Sequence, residues 1–137
     1  MRPVAVFDTN ILFSAVGWKG VPFQCVELAR AGTVEGVTCQ EILDELAEKL
    51  ETKLSFSPDH VVETIADLMT FLRVVSIPGV LKAVLTDPDD DKVLECAERA
   101  GATHVVTGDR RHLLPMGNFN GIPIVTAADF VAMATVP

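Results

Sequence analysis

Carboxylates occupy four places in this chain where a charge needs a reason. Asp8 closes the apolar run 4-VAVF-7 and precedes Thr9 and Asn10, before apolar spacing resumes at Ile11. Asp109 repeats the arrangement in 105-VVTGDRRHLL-114: an apolar strand, a small turn residue, then an acid. The run 86-TDPDDDK-92 sets three consecutive acids ahead of an apolar helix face, and Glu41, Asp44, Glu45 and Glu48 lie within a stretch of helical spacing. Singly, each has an ordinary reading. Asp8 and Asp109 suit N-caps or Asx turns, and acids in a first helical turn gain about 0.3–1 kcal/mol each from the macrodipole. Three adjacent acids also repel one another, so capping does not account for the whole run.

Helical spacing separates these acids. Asp90 stands three, four and seven positions before Val93, Leu94 and Ala97, which places it on the inward face; Asp91 shares that face only through Leu94. In the other helix the apolar stripe is Ile42, Leu43, Leu46 and Leu50, and Glu45 is the acid at its edge. Carboxylates gathered from four separate segments raise one another's pKa or need cations. Oxygen-only ligation points to Mg²⁺ or Mn²⁺ rather than zinc. Such ions polarise a phosphoryl oxygen and generate hydroxide from water, which is the chemistry of phosphodiester hydrolysis. They would also supply the attraction to phosphate that a net charge of −8 does not.

The elements that must position these groups alternate. Short β-branched runs at 4–7, 34–39, 72–76, 104–108 and 122–126 are separated by segments of helical spacing. Thr38 with Glu41 three residues on predicts a capped helix over 38–52. Pro58 opens a second helix carrying Val61, Val62, Ile65, Leu68, Met69 and Leu72; Pro88 opens a third, and a last one starts near Ala127. Strands alternating with helices predict a parallel sheet covered on both faces. Right-handed crossovers then bring every strand's carboxyl end to one edge, where ligands bind at the point of reversed strand order. If the first and fourth strands are neighbours, Asp8 and Asp109 face one crevice.

With 137 residues, 49% of them hydrophobic, the chain is expected to form one globular domain with a substantial core. The three cysteines are odd in number and lack CxxC spacing, so they read as small core hydrophobes, and no histidine makes a ligand pattern with them. No apolar run approaches the roughly 18 residues of a membrane span, and no signal peptide is evident, so a cytoplasmic location is expected.

Together, 6-VFDTN-10, 41-EILDEL-46, 87-DPDDDKVLECA-97, 105-VVTGDRRHLL-114 and 121-GIPIVTAADF-130 resemble the PIN-domain family of metal-dependent ribonucleases over essentially the whole chain, 1–137. The closest branch is that of toxin components of toxin–antitoxin pairs, related to the VapC toxins. The resemblance implies a three-layer α/β/α sandwich with a parallel sheet of about five strands in the order 3-2-1-4-5. It implies a catalytic Mg²⁺ or Mn²⁺ site formed by Asp8, Glu45, Asp90 and Asp109, with Asn10 and Thr107 in support. It further implies a single-stranded RNA substrate, a small antitoxin partner and a homodimer. Many members carry another acid two positions after the fourth carboxylate; here that position is Arg111. Arg111 and Arg110, read as lying near a helix start, are then candidates to hold an RNA phosphate. The competing readings are a catalytically quiet PIN scaffold that binds RNA or a protein, a PIN nuclease of RNA processing, and a phosphotransferase with Asp8 as nucleophile. The last usually wants a second acid where this chain has Asn10. Trp18, in 17-GWKG-20, reads as covering the core edge or an interface rather than stacking a base.

Overall fold

The computed structural model describes residues 2–81 and 90–136. The sheet is built around β1 (Val4–Phe7), which pairs in parallel with β2 (Glu35–Thr38) on one side. The segment that leads to β2 is carried by α1 (Thr9–Gly17) and α2 (Val21–Arg30). After β2 come α3 (Gln40–Leu54), α4 (Pro58–Met69) and β3 (Leu72–Val74), which pairs in parallel with β2. Helix α5 (Asp91–Ala100) then leads to β4 (His104–Val106) on the other side of β1. A two-residue strand β5 (Asn118–Phe119), β6 (Ile122–Val125) and α6 (Ala127–Ala134) close the chain.

The strand order is β3-β2-β1-β4-β6-β5. The five expected strands stand in their expected parallel order, with β6 as the fifth. The sixth strand is an addition: β5 runs antiparallel to β6, with Phe119 opposite Ile122. Asn120 and Gly121 make the two-residue turn, both with positive φ (50° and 83°), as a hairpin matched to strand twist requires.

Ala5, Val6 and Phe7 alternate across the sheet, yet all three are fully buried, so both faces are covered. Helix α5 packs across β1, β2 and β4, α1 packs on α2 and α3, and α2 on α6. Phe7 meets Phe130 of α6 edge to face, with centroids 6.3 Å apart. The stripe Ile42, Leu43, Leu46 and Leu50 is the buried face of α3. All three cysteines are buried and unbridged. Trp18 is 58% exposed and leans on Phe13.

Several boundaries differ from the sequence reading. Thr38 does not cap α3; it ends β2, paired with Val74, and its carbonyl accepts from Val75, so the sheet ladder claims it first. Cys39 takes the N-cap position without a side-chain hydrogen bond. Helix α4, capped by Ser57, stops at Met69 because Leu72 is drawn into β3. The expected helix start at Pro88 lies outside the described residues, as do Asp87 and Asp89. Among the described residues, no helix is long and apolar enough to cross a membrane.

Candidate metal centre

Strand register brings the first two acids together. Phe7 pairs with Val106 and the Asp8 amide donates to the Val106 carbonyl at 2.9 Å, so the next step of the ladder sets Asp8 beside Thr107. The fully buried Thr107 hydroxyl donates to Asp8 Oδ2 at 2.6 Å and accepts from the Asp109 amide at 3.0 Å. One threonine hydroxyl thereby ties the Asp8 carboxylate and the Asp109 backbone to one point on the sheet's carboxyl edge.

Asp8 is only 5% exposed. Burial pushes its carboxyl above the usual 3.8; the Thr107 and Asn10 hydrogen bonds oppose this, and the charges of Glu45 and Asp109 add to it. Both neighbours therefore reach Asp8 electrostatically. Asp109 has the opposite balance. Burial raises its pKa, but the backbone N–H groups of Arg111, Leu113 and His112 donate to it, and hydrogen bonding with Asp90 adds to them, so it titrates below its ordinary value. Those N–H groups belong to a turn over 110–113 that runs into a single 3₁₀ turn, Leu114–Met116, rather than to the α-helix start expected there.

Glu45 sits at the edge of the buried stripe of α3, with its side chain 28% exposed. Its Oε2 accepts from Lys92 Nζ of α5 at 2.7 Å. Burial works against its charge, but Lys92, Thr9 and Lys49 outweigh it and hold the carboxyl below its ordinary value. Asn10 Oδ1 accepts from Lys49 Nζ at 2.7 Å. Asp90 is the N-cap residue of α5, and its Oδ2 lies 3.5 Å from His112 Nδ1. The same ring nitrogen is 3.6 Å from Asp109 Oδ2. Asp91, 7% exposed, is the more buried of the two acids, whereas Asp90 is the one that faces Asp109 and His112. Arg110 and Arg111 are both exposed.

Three residues in this arrangement are not evident from spacing alone. Lys92 and Glu45 are 47 positions apart, and Lys49 and Asn10 are 39 apart; nothing in the sequence pairs them. His112 had a signal, since it follows Asp109 by three residues, but among oxygen donors it is easily passed over.

The donor set fits a divalent ion. Ligand atoms of Asp90, Asp109 and His112 all lie within 4.8 Å of one another, and buried Asp8 beside them carries a charge that its surroundings resist.

With this geometry in view, the match to known families is specific. Residues 4–111 match the PIN domain, and the chain belongs to the PIN-domain family. PIN domains are generally nucleases, and PIN nucleases use divalent metals. Similar solved structures include VapBC2 from Rickettsia felis bound to a DNA fragment from their promoter, at 13% identity and TM-score 0.63, covering 90% of this chain and 98% of that one. PAE2754 from Pyrobaculum aerophilum is 13% identical with TM-score 0.62, covering 98% and 96%. The PIN domain of human SMG5 is 16% identical with TM-score 0.54, covering 96% and 98%. At such identities the likeness is one of fold. No curated protein matches the chain in sequence.

Proposed function

We propose that the chain, folded as a single PIN domain over 1–137, is a Mg²⁺- or Mn²⁺-dependent endoribonuclease of single-stranded RNA and the toxin of a toxin–antitoxin pair. The observation that carries this reading is the set of Asp90, Asp109 and His112 ligand atoms within 4.8 Å of one another, with Asp8 near enough to feel the charges of Asp109 and Glu45. The four carboxylates Asp8, Glu45, Asp90 and Asp109 would hold the ion, which when bound supplies Lewis acidity to the scissile phosphate and a reactive hydroxide. Thr107 orients Asp8 by donating to one oxygen and fixes the backbone of Asp109. Asn10, held by Lys49, stands at the rim. Arg110 and Arg111, both exposed on the turn that follows Asp109, would hold an RNA phosphate next to the reacting one, bidentately. The toxin role draws support from the VapBC2 neighbour and implies a small antitoxin, with the chain itself a homodimer in the cytoplasm.

The test is cleavage of a labelled single-stranded RNA with Mg²⁺ or Mn²⁺, with EDTA, and with Asp8→Asn. Cleavage is expected only with metal, and Asp8→Asn is expected to lower it by about 100-fold or more, at least the scale seen for groups that support metal ligands. Cleavage that persists in EDTA would overturn the metal mechanism. No cleavage of any RNA with either metal would favour a quiet scaffold.

A further inference from the structure

We propose that His112 is itself a ligand of the divalent ion, making the centre a mixed nitrogen–oxygen site that prefers Mn²⁺ to Mg²⁺. The inference rests on the metal-dependent reading above and adds to it a donor that the four-carboxylate pattern does not contain.

His112 Nδ1 stands 3.5 Å from Asp90 Oδ2 and 3.6 Å from Asp109 Oδ2. Around a six-coordinate ion with bonds of about 2.1 Å, adjacent donors lie roughly 3 Å apart and opposed donors roughly 4.2 Å. The observed spacings fall between these limits, so side-chain adjustments of a few tenths of an ångström would close the sphere. The backbone beneath the ring is fixed as well. The His112 amide donates to Asp109 Oδ1 at 3.3 Å, and the side chain is 25% exposed, so the imidazole and the Asp109 carboxylate rise from one turn. Two carboxylates from separate elements and an imidazole on that turn thus point at one volume.

The consequence is selectivity. Mg²⁺ dehydrates reluctantly and takes oxygen donors, whereas imidazole nitrogen gains in affinity along the first transition series. An all-carboxylate centre separates Mg²⁺ from Mn²⁺ weakly; one imidazole in the sphere tips it toward Mn²⁺. The competing role for His112 is that of a protonated counter-ion holding two carboxylates together. In that case it would oppose a metal ion rather than bind it.

The two roles are separated by Mn²⁺ alone as the probe, read by pulsed EPR on the full chain. Electron spin-echo modulation from directly bound ¹⁴N is expected in the wild type and is expected to change to the ¹⁵N pattern when histidine is ¹⁵N-labelled. It is expected to vanish in His112→Gln. The other histidines have other partners, His60 stacked on Phe56 and His104 against Phe130, so loss of the signal in this variant assigns it. In titrations, His112→Gln is expected to weaken Mn²⁺ binding about tenfold and to change Mg²⁺ binding, measured by competition, by less than about twofold. Mn²⁺ bound without nitrogen modulation, or held as tightly by His112→Gln, overturns the ligand role while leaving the metal-dependent reading standing. No Mn²⁺ binding at all overturns both. The labelled wild type gives the spectroscopic answer even if the variant misfolds.

Discussion

Asp8 is held where its charge is resisted, and Thr107 is what makes the position tenable. A carboxyl whose folded-state pKa lies above its unfolded value binds its proton more tightly when folded. It therefore favours the folded state at low pH, and that contribution is lost as pH rises through the raised pKa. In EDTA at neutral pH, Asp8→Asn should melt at or above the wild type, with the gap closing as pH falls toward 3.8, the ordinary value for the group. Each kcal/mol relieved is worth about 3 °C at this chain length. A variant that melts well below the wild type at pH 7 would show that the charge is stabilised by its surroundings instead. Thr107→Val keeps the shape but removes both the donor to Asp8 and the acceptor for the Asp109 amide, each in a buried setting. A loss of about 1–3 kcal/mol is expected, with cleavage reduced and both recovered in large part by Thr107→Ser. Denaturant melts of the three proteins would measure it.

At the scale of elements, helix α5 decides which acid faces the centre. Asp90→Asn is expected to abolish cleavage, because Asp90 lies beside His112 and Asp109. Asp91→Asn is expected to leave much of it; the reverse ranking would mean that the start of α5 is rotated relative to the site. Strand β2 makes a separate demand. A Cβ at Gly36 would come within 2.5 Å of Leu72 Cδ2, 3.1 Å of Ala29 Cβ and 3.2 Å of Phe7 Cε2. Leu72 can shift, but the Ala29 methyl has no rotamer to yield, so Gly36→Ala should cost about 1–3 kcal/mol by overpacking, read as a lower urea midpoint. These elements show what the sequence made legible. The apolar runs and helical stripes carry their own periodicity, which is why the alternation of strands and helices and the buried face of α3 could be anticipated, whereas the five-strand order rested on the family resemblance. Thr38 could not be placed, because capping and ladder pairing compete for one residue and only the tertiary partner, Val74, settles it. The β5–β6 hairpin did have a local signal, Asn120–Gly121, but β5 is too short to show strand periodicity. In the centre, acids at strand ends announce themselves one by one, whereas Lys92, which meets Glu45, and Lys49, which meets Asn10, reach their partners from other helices and leave no local sign.

At the scale of the whole molecule, the proposed RNA substrate would have to be bound by a chain of net charge −8 through a small part of its surface. The long-range field repels RNA, so affinity has to come from the ion and from cations placed close to it. Lys92 and Lys49 are near, but their ammonium groups are engaged with Glu45 and Asn10. Arg110 and Arg111 are exposed, and Arg111 is fixed at its backbone by donation to Asp109 Oδ1 at 3.0 Å. That bond ties the position of the guanidinium's root to a carboxylate of the centre, so a phosphate held there would lie in register with the reacting one. On a non-cleaving Asp8→Asn background, Arg111→Ala should weaken RNA binding and reduce the slope of log affinity against log salt by about 0.7, the value for one phosphate contact on a single strand. Arg111→Lys should restore the slope but only part of the affinity, because a point charge cannot reproduce a bidentate grip. Binding titrations at several salt concentrations would measure both. If Arg111→Ala leaves slope and affinity unchanged, the phosphate is gripped elsewhere, and exposed Lys19 and Lys53 become the residues to replace.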